Sequence, residues 1–147
     1  MSLDTKIPPP IVTIIILSII YLFDLNEYNL NTDILSVVTL FIGLIFIISA
    51  VIQFINRKTT VNPTKPHETS TLVITGTYKI TRNPMYLGML LIIISFALYK
   101  TSIISLILIP LFIFYINKFQ IEPEEYEMRK KFGKEYEDYC KKVDRWI

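Results

Sequence analysis

The fold is decided by residues 84–118, which read PMYLGMLLIIISFALYKTSIISLILIPLFIFYINK. Lys100 is the single charged residue between Pro84 and Asn117. As one helix the stretch would be roughly 50 Å long, whereas bilayer hydrocarbon is about 30 Å thick, and Lys100 would lie at mid-membrane. The pattern therefore predicts a helical hairpin that turns at Lys100–Ser102, with arms at 84–99 and 102–118.

Two further apolar runs precede this hairpin. Residues 34–55 carry no charge and are long enough to cross a bilayer as a helix. Residues 8–23 open with three prolines, which a helix tolerates at its start, where N–H groups lack partners anyway. The run has a weakly basic leader and no small-residue cleavage site after Phe23, so it is interpreted as a retained span. We expect an all-α polytopic membrane protein with about four transmembrane helices.

The basic residues predict the orientation. With both termini in the cytoplasm, 14 of the 15 Lys and Arg residues lie on the inner side, and Lys100 alone lies outside. The inner parts are then residues 56–84 and the tail from Lys118 onward. The net charge of +2 argues against a nucleic-acid partner. Cys140 is the single cysteine, so an internal disulfide is excluded.

The tail has the pattern of an amphipathic helix. Pro123 suits a first helical position. Apolar side chains then recur every three or four residues, which predicts one helix lying on the membrane or packed on the bundle, where it can also close a site. The apolar positions are Met128, Phe132, Tyr136, Tyr139 and Val143.

Several classes of site find no support in the sequence. With one His and one Cys, the chain lacks a zinc-binding spacing, and its four dispersed glycines do not form a phosphate-binding loop. A Ser/His/Asp hydrolase signature is also missing. Neither a metal nor a nucleic acid is therefore expected, and two polar clusters remain to be explained.

The first cluster spans residues 72–88 and leads into the hairpin. Pro84 begins a helix, whose N-terminal N–H groups and positive dipole end bind anions such as a carboxylate. Arg82 adds a planar guanidinium that also suits a carboxylate. The alternative is that Arg82 only anchors the helix to lipid headgroups.

The second cluster follows the last apolar run and consists of Glu122, Glu124 and Glu125 around Pro123. Acids in a first helical turn complement the helix dipole. The same carboxylates would also suit a ligand that carries an ammonium and a sulfonium group. The residues alone leave both explanations open.

Together the two clusters resemble the isoprenylcysteine carboxyl methyltransferase and phospholipid methyltransferase superfamily of integral membrane enzymes. The resemblance covers residues 60–147, and its specificity comes from two pieces that occur in order on either side of the hairpin. It implies one membrane-embedded methyltransferase domain over residues 1–147. The matching residues are Leu72, Val73, Gly76, Tyr78, Arg82, Pro84, Tyr86 and Gly88, then Glu122, Glu124, Glu125, Phe132, Gly133, Tyr136, Tyr139, Val143 and Arg145.

The resemblance implies that S-adenosylmethionine binds at the cytoplasmic end, under the tail and without a Rossmann sheet. Glu124 is expected to bind the amino group of the cofactor, and the helix start at Pro84 its carboxylate. Tyr78 and Tyr86 are expected to flank the adenine or the sulfonium. The full set of expected cofactor contacts is Ser70, Thr71, Leu72, Val73, Tyr78, Asn83, Pro84, Met85, Tyr86 and Glu124.

The expected catalytic residues are Arg82, which would orient an anionic acceptor, and Glu122 or Glu125, either of which would deprotonate an amine acceptor. Two positions depart from the family pattern. Asn83 stands where the family has His, which excludes a titrating imidazole. Gln120 stands where prenylcysteine enzymes have Arg, and Gln120 and Lys118 are expected to contact the substrate.

The predicted function is S-adenosylmethionine-dependent methyl transfer to a lipid, a lipidated substrate or another lipophilic carboxylate, amine or thiol, at the cytoplasmic face of a membrane. One alternative is an enzyme of the same fold with another reaction, such as a membrane reductase. Others are a small transporter, which would need charged residues inside its spans, or a scaffold without cofactor affinity. The spans instead hold mainly Ser, Thr and Gln53.

Overall fold

A computed structural model describes residues 7–23, 32–56 and 71–147, and within those ranges the chain forms helices and loops but no strand. The predicted all-α class is confirmed for this part of the chain. The helices are α1 (Pro9–Phe23), α2 (Asp33–Asn56), α3 (Pro84–Lys100), α4 (Ser105–Ile116), α5 (Glu122–Phe132) and α6 (Lys134–Cys140). A 3₁₀ turn (Gly76–Lys79) precedes α3, and a π turn (Asn117–Ile121) joins α4 to α5.

The predicted reversal between the two arms of the hairpin is present. Helix α3 ends at Lys100, and Thr101 adopts the left-handed conformation with φ 52°. The N–H of Ser102 donates to the carbonyl of Ala97 at 2.9 Å, which satisfies a carbonyl in the last turn of α3. Helix α4 then starts at Ser105, three residues later than predicted.

Helix α3 is the central element, because it packs against α1, α2 and α4. Its buried Ile93 lies in a core with Ile20 of α1 and with Phe112 and Ile116 of α4. Large apolar side chains on the outer faces, such as Leu106, are exposed. Outward-facing apolar side chains are the arrangement expected of helices surrounded by lipid.

Helices α2 and α3 approach each other at glycines. A Cβ atom placed on Gly88 would lie 2.6 Å from the carbonyl oxygen of Gly43, so the two backbones are in contact there. Nearer the other end, Ser95 Oγ donates to the carbonyl of Ser36 at 2.7 Å. Small residues and interhelical hydrogen bonds are the usual means of joining helices in a bilayer.

Two helical stretches, Asp33–Asn56 and Ser105–Phe132, are long and apolar enough to cross a membrane, while α1 and α3 are apolar but shorter. The protein thus has membrane-compatible helices, and the count of four crossings and the cytoplasmic termini remain predictions. Part of the predicted inner segment 56–84, and Lys6, lie outside the described residues.

The tail differs from its prediction in two ways. Pro123 lies in the first turn of α5, as predicted, but this is not a free helix start, because the backbone stays helical from α4 through the π turn into α5. The acids after Pro123 therefore do not occupy a free helix start, and dipole complementarity does not account for them. The single amphipathic helix is also divided, since Gly133 has φ 50° and separates α5 from α6.

Replacing Gly88 with alanine tests the close approach of α2 and α3. The added methyl group would meet the Gly43 backbone, so the helices must separate, and we expect a loss of about 1–3 kcal/mol in stability, as for other overpacked cores. Thermal unfolding in detergent measures this loss. The control is Leu106→Ala, on a 73% exposed side chain. An equal loss in both variants would contradict the proposed close packing.

Candidate functional site

The segment before α3 is attached to α2 through Gln53. The Nε2 of Gln53 donates to Thr77 Oγ1 at 3.1 Å, and Thr75 Oγ1 donates to Gln53 Oε1 at 3.1 Å. Gly76 lies between the two threonines with φ 57°, and a Cβ there would fall 2.4 Å from Gln53 Nε2. A glycine is thus required both for the backbone angle and for the space that the amide occupies. These contacts fix the position of Tyr78.

Tyr78 is buried beside the end of α2. Its ring meets that of Phe54 edge-on, with 5.6 Å between the centroids, and packs near Val73 and Met85. Its carbonyl accepts a 2.6 Å hydrogen bond from the hydroxyl of Tyr139. Burial and then the charge of Glu124 raise the pKa of the Tyr78 hydroxyl well above its ordinary value, so the hydroxyl remains protonated.

Tyr86 and Glu124 are brought into direct contact, although 38 residues separate them in the chain. Tyr86 lies in the first turn of α3 and is 4% exposed. Its hydroxyl donates to Oε1 of Glu124 on α5. Among the described residues no basic side chain pairs with Glu124. The loop before α3 and the acids after α4 therefore meet at one place, as the sequence predicted.

The neighbouring carboxylate, Glu125, is buried and surrounded by arginines. Its Oε1 accepts from Arg82 Nη2 at 2.9 Å and from Arg145 Nε at 3.1 Å. Its Oε2 accepts from Arg145 Nη2 at 2.8 Å and more distantly from Arg129 Nη2 at 3.5 Å. A buried carboxylate is costly unless cations and hydrogen bonds compensate its charge. The cluster therefore holds together the segment before α3, α5 and the end of the chain.

The ion pairs with Glu125 also raise the pKa values of Arg82 and Arg145. The hydrogen bonds that Arg145 donates to Glu125, and the charge of Glu125, raise the pKa of Arg145 above its ordinary value. For Arg82, burial acts to lower the pKa, but the hydrogen bond and charge of Glu125 outweigh it and the pKa is raised. Both guanidinium groups therefore stay charged in the neutral pH range.

Residues 139–146, which we name the C-terminal strap, lie across the segment before α3. The N–H of Arg82 donates to the carbonyl of Asp144 at 2.9 Å, and its Nη1 donates to that of Val143 at 2.6 Å. The carbonyl of Arg145 accepts from Asn83 Nδ2 at 2.9 Å and from Thr81 Oγ1 at 3.1 Å. Asn83 thus uses its side chain to hold the strap and not to cap α3.

The predicted catalytic groups occupy different surroundings. Arg82 and Glu125 form an ion pair with each other in the interior. The Nη2 atom of Arg82 and the Oε1 atom of Glu125 are therefore already hydrogen-bonded. Glu122 lies on the exposed side of α5 and pairs with Lys118 at 2.8 Å. Gln120 is fully buried, and its Nε2 donates to the carbonyl of Ile7 at 2.9 Å, which ties the π turn to the start of α1.

The remaining predicted contact residues surround the same corner of the molecule. Val73 and Pro84 are buried, whereas Thr71, Leu72 and Met85 are half-buried. Ser70 lies outside the described residues. Sequence reasoning missed Gln53, Asn117, Arg145 and Trp146 as parts of this region. Arg145 belonged to the matching pattern but had no assigned role, and Trp146 is the one tryptophan of the chain.

Comparison with known proteins gives a family match. A model of a family described as phospholipid methyltransferase matches residues 32–135. An uncharacterized protein of Haemophilus influenzae is 41% identical over 63 residues, which cover 43% of this chain and 100% of that protein. No solved structure matches.

Substitution of Gly76 tests the attachment to Gln53, and Gly133 offers a matched control. Both glycines have positive φ, but a Cβ on Gly133 would have no neighbour within 4 Å. Gly133→Ala adds only backbone strain, about 1–3 kcal/mol, since Gly133 has φ 50° and ψ −122°. Gly76→Ala must also displace the amide of Gln53 and its bonds to the threonines, which adds about 1 kcal/mol for each hydrogen bond lost. Thermal unfolding compares the two variants, and equal stability would contradict this role of Gln53.

Proposed function

Because the chain belongs to the phospholipid methyltransferase family, we propose that it is an integral membrane enzyme that transfers the methyl group of S-adenosylmethionine to a lipophilic acceptor. The family match includes both Tyr86 and Glu124. The contact between these two side chains carries the proposal, because it joins the two polar clusters into one site. The whole chain, residues 1–147, would act as a single domain.

The residues of this corner fit the charges of the cofactor. Glu124, an acid without a basic partner in the described part of the chain, suits the ammonium group, because burial raises its pKa to about 8 and a bound cation would favour its ionised form. The start of α3 at Pro84 suits the carboxylate, because Asn83 does not cap it. The rings of Tyr78 and Tyr86 suit the sulfonium or the adenine, where a cation over a ring gains about 0.5–2 kcal/mol. Ser70, Thr71, Leu72, Val73 and Met85 would complete the binding surface.

Methyl transfer depends more on the alignment of the acceptor with the methyl group than on proton transfer. S-adenosylmethionine would supply an electrophilic methyl group when bound, with its sulfonium sulfur as the leaving group. Glu124 and the start of α3 would orient the cofactor from two sides, so that the acceptor lone pair lies in line with the breaking bond. The buried rings of Tyr78 and Tyr86 would exclude water from that line.

The acceptor determines whether a base is needed. A carboxylate or thiolate attacks directly, whereas an ammonium group must first lose a proton. Glu122 and Glu125 are the proposed bases, and the exposure of Glu122 favours it, since both oxygens of Glu125 are engaged with arginines. Arg82 would orient an anionic acceptor only by leaving Glu125, so its contribution is better explained as positioning. Lys118 and Gln120 remain proposed acceptor contacts.

The proposed location of the site is the cytoplasmic face of the membrane, with both termini on that side. The support is the distribution of Lys and Arg along the sequence, of which 14 of 15 fall on one side of the predicted spans. The site then lies where the apolar helices give way to the charged tail. A lipophilic acceptor would reach it from the bilayer, and the cofactor from the cytoplasm.

Replacing Glu124 with alanine tests the cofactor assignment. Loss of a hydrogen bond to a charged group should weaken binding of S-adenosylhomocysteine by about 1–3 kcal/mol. Calorimetric titration of the detergent-purified protein measures this change. The control is Glu135→Ala, which removes an exposed glutamate of α6 outside the candidate site. Unchanged affinity in a folded Glu124→Ala protein would refute the assignment.

A second experiment addresses the reaction itself. The wild-type protein is incubated with S-adenosylmethionine labelled on its methyl group and with lipid extracts that contain amine and carboxylate acceptors. Transfer of label into the lipid fraction is the expected result. A folded wild-type protein that binds neither S-adenosylmethionine nor S-adenosylhomocysteine would overturn the proposed function and favour a membrane scaffold.

A further inference from the structure

The C-terminal strap contacts each of the elements that build the candidate site. It meets the segment before α3 through Tyr139, Asp144 and Arg145, and it meets α5 through the side chain of Arg145. It meets the π turn through Trp146, whose Nε1 donates to Asn117 Oδ1 at 3.1 Å. A segment at the end of the chain therefore spans the junction between the two halves of the site.

Arg145 is the residue of the strap with contacts on both halves. Its guanidinium forms two hydrogen bonds with Glu125, at 3.1 and 2.8 Å, directly after Glu124 in the chain. Its carbonyl accepts from Asn83, which immediately precedes α3 and Tyr86. One residue thus links the backbone that carries Glu124 to the backbone that carries Tyr86.

Because Glu125 also pairs with a second arginine, the link through Arg145 can be removed without unfolding the protein. Arg82, whose side chain is 11% exposed, also pairs with Glu125 and comes from the segment before α3. Without the Arg145 guanidinium, the buried carboxylate would keep Arg82 as a compensating charge. The strap, in contrast, would lose its charged contact with α5 and keep its hydrogen bonds to Thr81, Arg82 and Asn83, so it should loosen on the α5 side while the helical bundle remains.

We propose that Arg145 is a positioning residue whose docking of the strap holds Glu124 against Tyr86, and that strap docking and cofactor binding reinforce each other. This inference rests on the proposed function. A cofactor that contacts both Glu124 and the start of α3 requires α5 and the segment before α3 to be close, and the docked strap requires the same arrangement. Two events that stabilise one arrangement are coupled, and the coupling is reciprocal.

Trp146 makes the docking of the strap measurable without any assay of methyl transfer. It is the one tryptophan in the chain, and its half-buried ring packs against the main core. Quenching of tryptophan fluorescence by acrylamide therefore reports whether the strap lies against the bundle. In the wild-type protein, added S-adenosylhomocysteine should reduce this quenching.

The experiment compares wild-type protein with Arg145→Gln, Arg145→Lys and Lys141→Gln, all as full chains in detergent. Arg145→Gln should increase quenching of Trp146 and weaken S-adenosylhomocysteine binding by about tenfold, within the usual range of coupling between sites. Arg145→Lys should rescue only partly, because an ammonium group cannot form the two parallel bonds to Glu125. Lys141→Gln is the control, since it removes a charge from an exposed strap residue that pairs with Asp138. It should match the wild type in both measurements.

Each outcome decides a separate part of the inference. Wild-type quenching in Arg145→Gln would show that Arg145 does not dock the strap. Increased quenching with unchanged affinity for S-adenosylhomocysteine would show that docking and binding are independent. If Arg145→Gln does not fold, the wild-type titration decides alone, and constant quenching on ligand addition overturns the coupling. If the wild type binds no ligand, the proposed function fails and the coupling with it, while the quenching comparison still decides the role of Arg145.

Discussion

The buried carboxylate of Glu125 is the constraint on which the rest of the site depends. Its side chain is 4% exposed, and a carboxylate at that depth is stable only when cations and hydrogen bonds replace water. The two nearer cations come from distant parts of the chain, Arg82 before α3 and Arg145 near the C-terminus. Compensating one charge therefore brings three separate segments together, and Glu124 reaches Tyr86 as a consequence.

The π turn decides which acids face inward. The N–H of Glu122 donates to the carbonyl of Asn117, five residues earlier, and this wider turn adds a residue to the helical path. Pro123 has no N–H to donate, which favours such an irregularity just before it. One extra residue rotates everything that follows by roughly 100°, the angle of one residue at 3.6 per turn. The directions of Glu124 and Glu125 therefore depend on this turn, and Glu122 is left on the exposed side.

The two ends of the molecule are stabilised by different forces. Among the apolar helices, close packing at Gly43 and Gly88 and a hydrogen bond between Ser95 and Ser36 join α2 to α3. Lipid offers no hydrophobic drive for such contacts, so small residues and polar groups supply the association. At the other end, hydrogen bonds and ion pairs fix the segment before α3, α5 and the strap. The candidate site lies at the boundary between the apolar helices and the end of the molecule that hydrogen bonds and ion pairs hold together.

The sequence by itself determined the all-helical class, the hairpin near Lys100, the apolar runs and the family, because length, hydropathy and motif order are properties of the chain read locally. Through the resemblance it also predicted that Tyr86 and Glu124 lie close together, and the structure shows them in contact. Only the tertiary structure decided that Arg82 binds Glu125, that Gly133 divides the tail and that Arg145 and Trp146 attach the strap to α5 and to the π turn. Those features depend on contacts between residues 20 to 64 positions apart and on a π turn that a regular helical period does not describe.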